Sequence, residues 1–234
     1  MLLSVQDLAV SYGKKRVLHD VSMEVGQKEV VALVGNNGAG KTTLLKAIHG
    51  VLDVERGRIE FEGCEITHHL PHAKVEQGIV YCPQGGEVFK RLTVVENLEV
   101  AGHRAKDKYH VKQNMDKVFD LFPALRNRHT LKGGVLSGGE RQMLSLGMSL
   151  MLSPKLFLID EPSGGLSPLY VDKVFYGINR INLEFETTIL LVEQNIKHAL
   201  EICSKVYVLR NGQIVYHGKK NEIQDVSSEV LGFG

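Results

Sequence analysis

Eight consecutive residues carry the first chemical signal. Gly35-Asn36-Asn37-Gly38-Ala39-Gly40-Lys41-Thr42 has the spacing G-x-x-x-x-G-K-[ST]. Glycines let a backbone curl until several N–H groups converge on one point, and a side chain there would block a bound phosphate. A helix starting near Gly40 would add its positive end. Lys41 would then reach the β- and γ-phosphates, and the Thr42 hydroxyl would ligate Mg²⁺. By residue frequency such a match arises by chance on the order of once in a hundred chains of this length. It also sits between an apolar run, Glu29 to Val34, and a helical stretch, Lys41 to His49. The segment is a candidate nucleotide-phosphate site.

A second signal is Leu156-Phe157-Leu158-Ile159-Asp160-Glu161, an apolar strand ending in two acids. A strand covered on both faces delivers its last residues to the carboxyl edge of a parallel sheet, where such sheets bind ligands. Asp160 can hold Mg²⁺ directly or through water. Glu161, one residue on, is free to polarise a water for in-line attack on a γ-phosphate. A third signal is Leu136-Ser137-Gly138-Gly139-Glu140, ahead of the amphipathic stretch Arg141 to Leu152. Ser137 reads as a helix N-cap, and the two glycines leave first-turn N–H groups uncovered. A plain cap and a second anion site weigh equally on these residues alone. The second makes sense if two chains pair head to tail, each offering this helix end to the γ-phosphate on the other's loop.

The elements that must position these groups alternate along the chain. Leu2 to Val10 and Val17 to Val25 read as half-buried strands, and Glu29 to Val34 as one covered on both faces. Gly57 to Phe61 and Ile79 to Cys82 are further strands. From about Gln84 to Gly134 the pattern turns helical, over Val94 to Ala101 and Lys112 to Phe122, and no clear strand interrupts it. Then come a helix (Gly139 to Leu152), a strand (Lys155 to Ile159), a helix (Leu169 to Asn182), a strand (Thr187 to Val192) and a helix (Ile196 to Cys203). Asn211-Gly212, between the apolar runs from Val206 to Tyr216, predicts a hairpin.

Composition closes off other classes. The 234 residues carry 28 basic and 27 acidic side chains, a net charge of +1, which argues against a nucleic-acid partner held by bulk electrostatics. At 43% hydrophobic and 24% charged residues the chain is an ordinary globular one. Nothing in it approaches the ~18–20 apolar residues of a membrane helix, and Met1 to Asp7 does not read as a secretory signal. Cys64, Cys82 and Cys203 lack metal spacing and read as idle thiols of a reducing compartment.

With Ser11-Tyr12-Gly13 at one end, Pro83-Gln84-Gly85 in the middle, and the three motifs in order, the sequence resembles the ATP-binding cassette (ABC) family over essentially its whole length. The resemblance implies an α/β fold: a P-loop NTPase core with a parallel sheet, an N-terminal antiparallel β-subdomain and an inserted α-helical subdomain. It implies a single ABC ATPase domain over 1–234, with 1–84 and 153–234 as the nucleotide-binding core and 85–152 as the helical subdomain. Tyr12 would stack on adenine, and Gly35, Asn36, Asn37, Gly38, Ala39, Gly40, Lys41, Thr42 and Thr43 would bind the rest of ATP. Thr42, Gln84 and Asp160 would hold Mg²⁺, with Glu161, Gln194 and Lys41 catalytic. Ser137, Gly138, Gly139 and Glu140 would meet the ATP of an opposed subunit.

Three departures narrow the subfamily. Glu140 replaces the usual Gln, Ser167 stands where most members carry Asp, and Gln194 stands where most carry His. An amide can donate to a γ-phosphate oxygen but cannot become cationic near pH 6.5 as imidazole does. With Val95-Glu96-Asn97-Leu98, Asp120-Leu121-Phe122-Pro123 and Leu191 to Asn195, these variants resemble the ATP-binding subunits of branched-chain amino-acid importers. Urea and amide importer subunits are similar. The implied setting is peripheral, on the cytoplasmic face of the cell (inner) membrane, with an identical or sister ABC subunit, transmembrane permease subunits and, indirectly, an external solute-binding protein. Val88, Phe89, Leu92 and Val94, among Glu87, Lys90 and Arg91, would form the groove that receives a permease helix. A non-transport ABC ATPase and a P-loop kinase are the competing classes. The kinase would need an acceptor pocket and a lid.

Overall fold

The computed structural model describes residues 1–104 and 108–223; residues 224–234 of the expected domain lie outside them. The chain opens with strands β1 (Leu3–Tyr12), β2 (Lys15–Val25) and β3 (Val30–Val34), then helix α1 (Lys41–His49). Next come β4 (Arg56–Phe61), β5 (Cys64–Glu65), α2 (Pro71–Gln77) and β6 (Ile79–Cys82). The helical stretch holds α3 (Val94–Ala101), α4 (Lys108–Leu121), α5 (Pro123–Arg126) and α6 (Gly138–Leu150). It is followed by β7 (Leu156–Asp160), α7 (Pro168–Phe185), β8 (Thr188–Glu193), α8 (Ile196–Ile202) and the hairpin β9 (Lys205–Arg210) and β10 (Gln213–Lys219).

Two sheets result. One is antiparallel, ordered β2-β1-β4-β5; the other is ordered β10-β9-β3-β8-β7-β6, parallel throughout except for β10. Side-chain alternation in the parallel strands divides two cores. Val30, Ala32 and Val34 of β3, Phe157 and Ile159 of β7, and Ile189 and Leu191 of β8 join the helices on one face. Val31, Leu33, Leu156, Leu158, Leu190 and Val192 face α1 and the antiparallel sheet on the other. Burial on both faces is why these strands read as unbroken apolar runs. Among the described residues the helical stretch has no separate core: Leu98, Val118, Phe122 and Leu146 belong to the same cluster as Phe157 and Ile189.

The expected elements are present, with shifted ends. β1 runs two residues past Val10 because Ser11 and Tyr12 still pair with Arg16 and Lys15. α4 starts four residues before Lys112. Helices α2 and α5, absent from the sequence reading, are short, begin with proline at the first helical position, and lack room for an apolar stripe. Thr93 and Lys132 form an isolated bridge within the stretch expected to be free of strands.

α1 carries an unusual C-terminal partner. Lys74 of α2 is fully buried, and its ammonium donates to the carbonyls of Ile48, at 2.8 Å, and Ala47, at 3.5 Å. A cation on the last carbonyls suits the helix dipole. Burial still pushes the Lys74 ammonium down to about 8. Burial, and then the Lys74 charge, push the His49 imidazole down to about 4 from 6.5. In the unfolded chain His49 binds a proton near 6.5, so acid favours unfolding between there and about 4. The native state therefore loses stability as pH falls through that window, by roughly 2 kcal/mol at pH 4.5. His49→Gln removes this loss, so urea unfolding at pH 7 and 4.5 should show the variant gaining that amount on wild type at the acid end. An unchanged difference between the two proteins would overturn the assignment. Lys74 adds a limb of the same sign at higher pH: stability rises as pH climbs from about 8 toward 10.5, because the unfolded chain then holds more protons.

Candidate active site

The carboxyl ends of β3, β6, β7 and β8 converge on one edge of the parallel sheet. β3 passes directly into the glycine loop. α1 then starts from Gly40 in a left-handed conformation at φ 108°, with no side-chain cap and no acid in its first turn. The first-turn N–H groups have no partner within the helix, and the helix adds its positive end. The hairpin turn of β9 and β10 braces the loop, since Gly212 N–H donates to the Ala39 carbonyl at 2.9 Å. Lys41 is buried beneath it. Its Nζ donates to the carbonyls of Gly35, at 2.8 Å, and Asn36, at 3.2 Å, and pairs with Glu161 Oε1 at 3.0 Å.

Asp160, the last residue of β7, is buried and takes two hydroxyl hydrogen bonds. Thr42 Oγ1 donates to Oδ1 at 3.0 Å and Tyr81 Oη to Oδ2 at 2.9 Å. Burial raises the Asp160 carboxyl above its ordinary range, while the Tyr81 and Thr42 hydrogen bonds pull it back down. The Tyr81 hydroxyl is itself pushed up, by burial first and then by the neighbouring Asp160 charge. Glu161 sits at φ 42°, in the left-handed region that a non-glycine residue rarely adopts. Its Oε2 accepts from Gln84 Nε2 at 3.1 Å, while Oε1 faces Lys41.

The far motif forms the N-terminus of α6. Ser137 is the N-cap: its hydroxyl accepts from Glu140 N–H at 3.3 Å, and Glu140 Oε2 accepts from Ser137 N–H at 2.8 Å. Glu140 Oε1 accepts from Arg128 Nε at 2.6 Å. Burial works against its ionisation, yet the Ser137 hydrogen bonds and the Arg128 guanidinium hold the carboxyl below the usual range. The Glu140 side chain is therefore turned back onto its own cap and is buried, while Ser137 and Gly138 are exposed. Gly139 serves packing: a side chain there would run into the Tyr170 ring. The exposed helix end is thus Ser137 and Gly138, narrower than the two open glycines expected.

An open cleft of about 530 Å³ brings together Tyr12, residues of the loop between Asn37 and Thr43, Gln84 and Glu161. Asp160 lies behind Thr42. The cleft lining includes neither Gln194, exposed just beyond β8, nor the Ser137–Glu140 cap. Two participants escaped the sequence reading. Tyr81 lies three residues before Gln84 and alternates onto the opposite face of β6 from Cys82. Glu193 is an acid at the end of an apolar strand, the same pattern that marked Asp160.

The chain is also similar to known proteins. The sequence profile of a family described as "ABC transporter" matches residues 18–164. The high-affinity branched-chain amino acid transport ATP-binding protein BraG of Pseudomonas aeruginosa is 45% identical over 217 residues, 92% of each chain. The probable branched-chain amino acid transport ATP-binding protein LivF of Archaeoglobus fulgidus is 40% identical over 95% of this chain and 94% of its own. The ADP conformation of an ATP-binding cassette of an ABC transporter superimposes with a TM-score of 0.89. It is 28% identical and covers 99% of this chain and 97% of that one.

Proposed function

The chain belongs to the ABC transporter family, and from that premise we propose that it binds and hydrolyses ATP to power an importer of branched-chain amino acids. One observation carries the chemistry: Lys41, Thr42, Asp160, Glu161 and Gln84 form a connected set at the end of the sheet. In this reading Lys41 exchanges its loop carbonyls for β- and γ-phosphate oxygens, and Glu161, released from Lys41, orients and deprotonates the attacking water. Tyr12, exposed at the end of β1 and lining the cleft, stacks on the base. Gln194 donates to the γ-phosphate from the β8 side.

Mg²⁺ fits the donors present. Thr42 Oγ1 and Asp160 Oδ1 are hard oxygen ligands 3.0 Å apart. Among the described residues no group of three or more His, Cys, Asp or Glu could hold a metal alone. An incomplete oxygen set is how Mg²⁺ is held together with substrate phosphates and water. Bound there with Gln84 nearby, it would neutralise charge on the transferred phosphoryl group.

The Ser137 cap stands apart from the cleft, which supports a pairing in which each chain completes the other's site. The second subunit is a copy of this chain or a sister cassette. A groove of about 310 Å³ beside the cleft, lined by Pro83, Glu87, Val88, Phe89, Ser145, Met148 and Ser149, supports docking of a permease helix. It begins one residue before Gln84, so motion there reaches the site. Phe89 is about half exposed in it, whereas Val94, expected in the groove, is fully buried in the core. No helix among the described residues is long and apolar enough to cross a membrane. In this reading the chain works as a peripheral subunit on the cytoplasmic face, with the permease and an external binding protein selecting the solute. The names of the two relatives support the solute class.

Purified protein should hydrolyse ATP with no added acceptor, at a rate rising with the square of protein concentration when dilute. Reconstituted with its permease, it should drive ATP-dependent leucine uptake. A strict need for an acceptor hydroxyl would instead identify a kinase. Uptake of urea or an amide in place of leucine would overturn the solute assignment alone.

A further inference from the structure

Glu193 is a buried acid, 1% exposed, for which the chemistry above has no use. Among the described residues no cation pairs with it; its carboxylate is met by backbone instead. Oε1 accepts from Ser163 N–H at 3.0 Å, and Oε2 accepts from Gln194 N–H at 3.0 Å and Asn195 N–H at 3.1 Å. A carboxylate is acceptor-only and can take several donors at once, and hydrogen bonds to a charged acceptor are the stronger kind. The three donors belong to two loops. Ser163 lies two residues after Glu161 in the loop leaving β7, and Gln194 opens the loop leaving β8.

The same two loops are joined again by Glu161 N–H donating to the Val192 carbonyl at 2.9 Å. The Ser163 loop also runs under Gln84, whose Nε2 lies 3.2 Å from where a Gly164 side chain would start. Neutral alternatives do not fit this place. A glutamine amide would turn its NH₂ toward backbone donors, leaving at least one buried N–H unmet.

We propose that Glu193 is a positioning residue that fixes Gln194 relative to Glu161 by clamping the β7 and β8 loops together. The inference rests on the roles given to Glu161 and Gln194 above. It makes Glu193 act on turnover through Gln194, without touching the nucleotide.

The test is a double-mutant cycle on the full chain, with ATP affinity, kcat and thermal unfolding measured for Glu193→Gln, Gln194→Ala and the pair. Glu193→Gln should lower kcat about tenfold or more while the ATP Kd stays within about twofold. The double variant should be no more than about twofold slower than Gln194→Ala alone, because the clamp has nothing left to position. Amide exchange at Gln194 and Asn195 should quicken in Glu193→Gln. If Glu193→Gln does not fold, Glu193→Asp, which keeps the charge but shortens its reach, is put through the same cycle. Wild-type kcat in the Glu193 variant, or two effects that multiply independently, overturns the proposal and leaves the Gln194 assignment standing. Wild-type turnover in Gln194→Ala overturns that assignment itself, and this proposal with it.

Discussion

Glu161→Gln is expected to lower ATP turnover about a thousandfold while leaving ATP binding within about twofold of wild type. The two halves of this expectation have separate causes. Turnover fails because an amide cannot accept the proton of the attacking water, and proton transfer by a placed base accounts for about 10²–10⁴ in rate. Binding persists because the loop N–H groups, the α1 N-terminus and Lys41 are untouched. Lys41 in fact loses a competing anion, since Glu161 Oε1 sits 3.0 Å from its Nζ. Glutamine also preserves the length of the side chain and can still face Gln84. With hydrolysis blocked, the closed pair of subunits has no route to open. Size-exclusion chromatography with MgATP should therefore show the variant at twice its monomer mass, and wild type should return to monomer as ATP is consumed. Hydrolysis by Glu161→Gln at the wild-type rate would remove Glu161 from the role of base.

The chemistry was legible where it depends on local backbone shape. The glycine loop must be written in glycine, and the strand feeding it must be apolar, so Gly35 to Thr42 and Leu156 to Glu161 announce themselves. Partners brought by tertiary contact do not. Tyr81 reaches Asp160 across two parallel strands, and Lys74 reaches Ile48 from a seven-residue helix with no apolar stripe. Neither contact leaves a periodic trace. Glu193 was visible as a residue and passed over because an acid at a strand end looks solvated by default; only its burial reveals the three N–H groups it serves. Glu140 has partners that its motif does not announce. Its place in the motif marks it for a nucleotide contact in trans; in the single chain the S-x-x-E capping box and Arg128 take both of its oxygens. Its carboxylate shapes the cap, and Ser137 is the exposed residue proposed to meet the opposed subunit's nucleotide.

That assignment has a consequence in mixtures. Lys41→Ala should abolish hydrolysis by removing the only buried cation at the phosphate loop among the described residues, and Ser137→Arg should abolish it by filling the exposed helix end. Loss of the Ser137 cap costs the α6 terminus only about 1 kcal/mol, so the variant should stay folded. Each protein alone is then inactive. Combined in equal amounts, half the dimers are mixed, and in each mixed dimer one site joins an intact loop from one subunit to an intact cap from the other. Activity should return to about a quarter of the wild-type level, one good site in two across half the molecules. An arrangement in which a chain completes its own site offers no such pairing, because every chain in the mixture carries a lesion, and the mixture would stay as inactive as its parts. Because both components fail for different reasons, recovery cannot come from residual activity of either, and its absence in folded, dimer-forming protein would rule out the shared site.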